Sequence, residues 1–178
     1  MKIIIFTENG RAGGMDVFIS TLIKFWPDIN DKFIIICNKN HPGLLYLEKY
    51  STDNNTTIIK HSIPINWSFL DNYIKFLPNL FQRIIRKILR ILLVPYQFMA
   101  LRKIFKKESP GKLISVNGGY PGGESCRIAN IAWKSLGYDK SIHNFHNLAS
   151  KPPRLLTIYE NFIDKRLHKS CKAIVGVS

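Results

Sequence analysis

Acidic residues are missing altogether from Asn72 to Lys107, a stretch that holds Lys75, Arg83, Arg86, Lys87, Arg90, Arg102, Lys103, Lys106 and Lys107. Those nine cations make up most of the formal net charge of +14. So concentrated a positive stretch points to a polyanionic partner, either nucleic acid or an anionic membrane face. Cysteine is scarce: Cys37, Cys126 and Cys171 are odd in number, far apart and without Cys-x-x-Cys spacing. That excludes a disulfide framework and a thiolate zinc site, and leaves buried reduced thiols of a cytosolic protein as the expectation. No apolar run approaches the ~20 residues a membrane-spanning helix needs. Only Ile3 to Phe6 separate Lys2 from Thr7, too little for a secretory leader, so the chain is read as cytoplasmic. Two nucleotide motifs are missing as well. Gly10, Gly13 and Gly14 do not have Gly-x-Gly-x-x-Gly spacing, and no acid follows the second apolar run to hold a ribose. The one Gly-Lys pair, Gly111–Lys112, enters a strand instead of opening a helix.

What is present is a globular chain of 178 residues, 46% apolar, enough for one domain with a full core. Short apolar runs predict strands at about Lys2–Thr7, Lys32–Cys37, Thr57–Ser62, Leu113–Asn117, Lys140–Phe145 and Ala173–Val177. Helical patterns lie between them, at Gly14–Trp26, Gly122–Leu136 and Pro153–Lys169. Gly137 ends the middle helix, and Pro153 suits the first turn of the last. In that last helix Leu155, Leu156, Tyr159, Phe162, Ile163 and Leu167 share one side. The fold class is therefore α/β, an open parallel sheet of about six strands, Rossmann-like and doubly wound. One region breaks the alternation. The segment between the third and fourth strands is too long for a simple crossover, and Pro78 and Pro95 divide it into basic helical pieces.

Ligands of such sheets sit beyond the carboxyl ends of the strands. After the first strand comes "TENGRAGGMD", where Gly13 and Gly14 let backbone N–H groups approach a ligand at the positive end of the following helix. Asp16 lies in that helix's first turn. The alternative is a tight turn with Asp16 as its cap. After the fourth strand, Gly118 and Gly119 would let a ligand approach closely, with Asn117 and Tyr120 as hydrogen-bonding groups, or would simply make a turn. Glu124 reads first as a first-turn partner of the helix dipole, with an acid facing the ligand as the alternative. His146 follows the fifth strand and can donate or accept near neutral pH. His143 lies three residues earlier, and in a strand the two rings face opposite sides, so no metal site is expected there. Trp26, Trp67 and Trp133 read as packing or interface residues.

Read in order, these strand ends carry a resemblance. "GGMD" resembles the Gly-Gly-x-Glu turn after the first strand of retaining GT-B glycosyltransferases of family 4. "LISVNGGYPGG" resembles their strand-plus-glycine loop, and "SIHNFHNL" their strand ending in a His near the reacting sugar. "FIDKRLHKSCKAIVGVS" resembles their helix, basic linker and strand ending in Val-Ser. The resemblance runs from Met1 to Ser178. It implies that His146 is catalytic, hydrogen-bonding the transferred sugar or the acceptor. It also implies that Gly13, Gly14, Asp16, Asn117, Gly118, Gly119 and Tyr120 bind substrate, and that neither metal nor cofactor is needed. Asp16 stands where Glu is commoner in that family. The family's second domain binds the nucleotide-sugar donor through two glutamates seven residues apart, and no such pair occurs here. The chain is thus expected to be a single acceptor-binding N-terminal domain, residues 1–178, inactive until completed by a donor-binding one. A non-catalytic subunit that recruits a donor-binding partner is the rival reading.

The basic segment supplies the remaining expectation. In "FQRIIRKILRILL", Phe81, Ile84, Ile85, Ile88, Leu89 and Leu92 recur at helical spacing, with Arg83, Arg86, Lys87 and Arg90 on the other side. That is the pattern of an interfacial helix, and Trp67, Phe69, Tyr73, Phe76, Tyr96 and Phe98 add groups suited to a headgroup boundary. A peripheral protein on the inner face of the plasma membrane, with a lipid-linked or surface-polysaccharide acceptor, is the expectation. Packing of the apolar face on the sheet is the alternative. No RNA-binding motif with stacking aromatics on a strand is present, and nucleic acid is not expected as a partner.

Overall fold

The computed structural model of the chain describes residues 1–50, 55–64, 76–108, 111–152 and 154–176. Trp67, Phe69, Tyr73, Pro153, Val177, Ser178 and the side chain of Leu155, all invoked above, lie outside that description. The elements in order are β1 (Lys2–Glu8), α1 (Gly14–Lys24), β2 (Lys32–Asn38), α2 (Leu44–Tyr50), β3 (Thr56–His61), α3 (Asn79–Glu108), β4 (Lys112–Asn117), α4 (Glu124–Ser135), β5 (Ser141–Phe145), a 3₁₀ turn at Arg154–Leu156, α5 (Thr157–Ser170) and β6 (Cys171–Gly176).

The six strands form one parallel sheet in the order β3-β2-β1-β4-β5-β6. Successive strand side chains point to opposite faces, and both faces are covered. Ile4, Phe6, Ile34, Ile36 and Leu113 pack under Leu101 and Phe105 of α3, Ala129 and Trp133 of α4 and Ile163 of α5. Ile3, Ile5, Phe33, Ile35 and Val116 pack under Met15 and Ile19 of α1 and Leu47 of α2. Double coverage is why the strands read as unbroken apolar runs. Gly137 has φ 84°, and its N–H closes α4 on the carbonyl of Lys134 at 3.0 Å. All three cysteines are buried free thiols. Trp133 is buried, with its Nε1 donating to the Asp139 carbonyl, and Trp26 packs on Phe33.

Two expectations are corrected, and one element is new. Pro95 does not divide the basic segment: α3 runs unbroken through it for 30 residues, about 45 Å. The proline costs one hydrogen bond, to the carbonyl of Ile91, but it sits on the exposed side, where water reaches that carbonyl. Burial of Gln97, Leu101 and Phe105 on the other side holds the helix together. Phe162 is 53% exposed, outside the apolar side of α5, with the Arg166 guanidinium 4.3 Å above its ring. Finally, α2 is a helix that the alternation of longer patterns does not reveal.

The course of α3 matters for the site. Arg90 lies level with Glu124 at the start of α4, and Arg102 with Ser135 at its end. The two helices therefore run side by side in the same direction. Residues 79–89 project about 16 Å beyond the start of α4, past the carboxyl edge of the sheet. Along this projection Phe81, Ile84 and Ile88 are 46 to 57% exposed, and Leu92, one turn further on, is 65% exposed. No described helix is long and apolar enough to cross a membrane.

Candidate functional site

Strand order reverses between β1 and β4, where the crossovers leave the sheet in opposite directions and open a crevice at its carboxyl edge. Two adjoining depressions occupy it. The smaller, about 240 Å³, is walled by Glu8 at the end of β1, Asn117 at the end of β4, Arg90 of α3 and Glu124 of α4, over the glycine loop 118–123. The larger, about 640 Å³, is an open groove along residues 9–15, bounded by Gly118, His146 and Asn147. Asn9, Gly10 and Gly118 belong to both.

The loop after β4 is braced by Asn117. Its Oδ1 accepts the Gly119 N–H at 2.7 Å and its Nδ2 donates to the Gly122 carbonyl at 3.1 Å. Gly123 has φ 53°, and a Cβ there would sit 2.5 Å from the Asn117 side chain, so glycine is required. Asn117 thus shapes the depression with both ends of its amide. Around Gly13 and Gly14 a Cβ would meet nothing within 4 Å, so this turn opens on the groove. Gly13 gives its N–H to Asp16 at 2.9 Å. The first-turn N–H groups of Gly14 and Met15 have no intrahelical partner, as at the positive end of any helix.

Asp16 is turned away from the groove. It is buried, its Oδ1 lies 2.7 Å from His41 Nε2, and Gly43 packs directly against it. Its carboxylate caps the glycine turn from behind, because the N–H groups of the turn and His41 offer it partners that the groove does not. Tyr120 is also turned away. Its ring lies 5.3 Å from Phe145, and its hydroxyl bonds Asp164; burial first, then that bond, raises its pKa. His146 borders the groove, with Phe18 edge-on at 4.6 Å and Nε2 shielded and unpartnered among the described residues. Burial lowers its pKa, which favours the neutral imidazole. His143 is enclosed, 2.7 Å from Ser115 Oγ and 3.1 Å from Asn130 Nδ2, and burial brings its pKa down to about 4. Among the described residues no group of three or more His, Cys, Asp or Glu side chains converges to hold a metal ion.

Behind the smaller depression lies an ion-pair array. Arg127, with no exposed side-chain surface, reaches Glu160 at 2.6 Å, Glu124 at 3.2 Å and Asp164 at 3.3 Å. Burial alone would disfavour its charge, but the three carboxylates more than compensate, and its pKa is raised. Arg90 pairs with Glu124 and, at 2.6 Å, with Glu160, and lies 5.8 Å over the Tyr159 ring. Tyr159 donates to Glu124. Arg90 is therefore a site residue, drawn into the crevice by two buried carboxylates, and it is set apart from the basic face of α3 on which its spacing places it.

No family model matches the sequence, and no curated protein does. The fold is shared with MurG. The structure of Acinetobacter baumannii MurG, a GT-B glycosyltransferase, aligns with a TM-score of 0.57 at 13% identity, over 99% of this chain and 41% of that one. The dTDP-glucose 4,6-dehydratase of Bacillus anthracis str. Ames, in complex with NAD, aligns at 0.43 with 14% identity, over 99% of this chain and 75% of that one. The chain thus spans about two fifths of the length of MurG, and the likeness to MurG is one of fold.

Glu8 is the site residue that sequence reasoning missed. Ser125 donates to its Oε2. Burial raises its pKa to about 7; the Ser125 hydroxyl opposes this and the Glu124 charge adds to it. The folded chain then binds this proton more tightly than the unfolded chain. The stability Glu8 contributes is full below about 4.5 and lost as pH rises through about 7. Above that pH, Glu8→Gln is expected to be more stable than the native chain by about 3 kcal/mol, with no gain at pH 4. Urea midpoints of the two proteins across that range check it, and parallel curves would contradict it.

Proposed function

We propose that this chain is the acceptor-binding half of a retaining glycosyltransferase, working with a nucleotide-sugar donor held by a second domain or partner. Its acceptor is a lipid-linked or surface-polysaccharide intermediate. The observation that carries the reading is the composition of one crevice. The open turn at Gly13–Gly14, the glycine loop after β4 and the imidazole of His146 all meet at the carboxyl edge of the sheet, in a fold shared with MurG. Small residues let a sugar approach the backbone. The first-turn amides of α1 suit an anionic group, and His146 suits a sugar hydroxyl or the charge that develops during transfer. Glycosidic bond formation would proceed with retention at the donor's anomeric carbon. Incubated alone with UDP-, GDP- and ADP-sugars and lipid acceptors, the chain is expected to give no product. Turnover by the chain alone would refute the half-enzyme reading. A non-catalytic recruiting subunit is the second reading, favoured by the same projecting helix.

That helix, in this reading, lies on an anionic membrane at the cytoplasmic face. Phe81, Ile84, Ile88 and Leu92 make its apolar side, and Arg83, Arg86 and Lys87 its cationic one. Each cation near an anionic leaflet contributes about 1 kcal/mol. In liposome flotation, binding is expected to require anionic lipid and to weaken with salt. It should fall at least tenfold when Arg83, Arg86 and Lys87 are all changed to Glu. Arg90 is left in place because it belongs to the crevice. Equal recovery with neutral and anionic vesicles would refute the assignment.

A further inference from the structure

The smaller depression contrasts with the rest of the molecule. The chain carries a net charge of +14, yet the carboxylates of Glu8, Glu124, Glu160 and Asp164 cluster here against only two guanidiniums, those of Arg90 and Arg127. Both guanidiniums are spent on those carboxylates, and Arg127 is sealed from solvent. Among the described residues that line it, no cation is left over to meet a phosphate. The amino end of α4, which would otherwise attract an anion, already carries Glu124 in its first turn and faces Glu8. A buried anion placed here would be repelled, and its desolvation would go unrepaid.

What the walls offer instead is hydrogen-bond acceptance. Glu8 is 7% exposed; one of its oxygens takes the Ser125 hydroxyl, and the other has no partner among the described residues. A carboxyl group beside an open depression accepts hydroxyl or ammonium protons, and a volume of 240 Å³ is that of about eight waters, room for one sugar ring. We propose that this depression is a monosaccharide subsite for an unphosphorylated sugar, neutral or amine-bearing, and that Glu8 holds the ring by its hydroxyl or amino protons. The assignment rests on the acceptor-binding reading of the same crevice. It divides the crevice by charge: the sugar lies between β1 and β4, and any phosphate lies outside, along the Gly13–Gly14 turn. Near neutral pH Glu8 exchanges its proton readily, so it can also donate to a ring oxygen.

The test is amide chemical-shift mapping of the ¹⁵N-labelled full chain at pH 7. The probes are methyl glucoside, methyl glucosaminide, glucose 1-phosphate and inorganic phosphate. Both glycosides are expected to shift the amides of Gly119, Gly122 and Gly123, which border only the smaller depression, saturably, while inorganic phosphate leaves them in place. Glu8→Gln should weaken glycoside binding at least tenfold with the remaining spectrum unchanged. Gly119→Val, whose Cβ would meet only the Asn147 side chain, at an ordinary contact distance of 4.0 Å, should block binding without touching Glu8. Phosphate shifts at those three amides, or full glycoside affinity in Glu8→Gln, would overturn the proposal. Glycoside shifts confined to Gly13, Gly14 and His146 would overturn this subsite and leave the glycosyltransferase reading in place. An absence of glycoside shifts throughout the crevice would count against both.

Discussion

Arg127→Met is expected to cost the chain about 3–5 kcal/mol of stability, a large share of the roughly 5–15 kcal/mol that holds a domain of this kind folded. The side chain is wholly buried and lies between Glu160, Glu124 and Asp164. Removing it leaves the buried carboxylates of Glu124 and Glu160, and the half-buried one of Asp164, with Arg90 as the remaining cation paired with the first two among the described residues. Their charge can be relieved only by taking up protons or water, and either course disrupts the contacts among α3, α4 and α5. The loss belongs to the unpaired carboxylates more than to the missing contact, so adding Glu160→Gln to Arg127→Met should recover part of it. Urea denaturation followed by circular dichroism measures both. A loss below about 1 kcal/mol for the single change would mean that the array is hydrated or protonated in the native state.

The second large effect is on turnover. In a protein completed by its donor-binding half, His146→Ala is expected to lower kcat about 10²-fold or more, with an unfolding midpoint close to the native one. The imidazole touches Phe18 at the rim of the groove and has no partner at Nε2 among the described residues. Truncation therefore removes little packing but takes away the group that would meet the substrate. Gly14→Val should also impair turnover, since its side chain would enter the open space in front of the α1 amides. Rates near native in both variants, measured on folded protein, would place the chemistry elsewhere.

Much of this architecture is legible in the sequence because burial on two faces leaves a distinctive mark. Ile3 to Phe6 and Phe33 to Ile36 can only be central strands of a covered sheet, and their ends lie within a residue or two of the expected ones. The glycine loops are legible for the same kind of reason, since only glycine tolerates what Gly123 must do. Side-chain direction is not legible in this way. Asp16 and Tyr120 lie at the right strand ends, but His41 and Asp164, distant in sequence, draw them inward. Arg90 shares helical spacing with Arg83 and Arg86, and only the pairing of α3 with α4 and α5 shows that it faces two carboxylates. Pro95 misleads because a local penalty is weighed without the tertiary packing that outweighs it. Glu8 carried a signal that could have been used: a lone acid closing an apolar run at the carboxyl end of the first strand is costly to bury without a purpose.

The central claim is that a glycan acceptor binds at the carboxyl edge of the sheet, between β1 and β4. Photo-crosslinking tests it on the chain as it stands, with a polyprenyl diphosphate sugar carrying a diazirine on the sugar, followed by peptide mapping. The account predicts adducts on residues 8–14, 117–124 and 146–147, suppressed by excess unlabelled analogue and reduced in Gly119→Val. Adducts confined to the opposite end of the sheet, around the groove of Lys134, Lys165 and Lys169 between α4 and α5, or labelling that unlabelled analogue does not suppress, would contradict it.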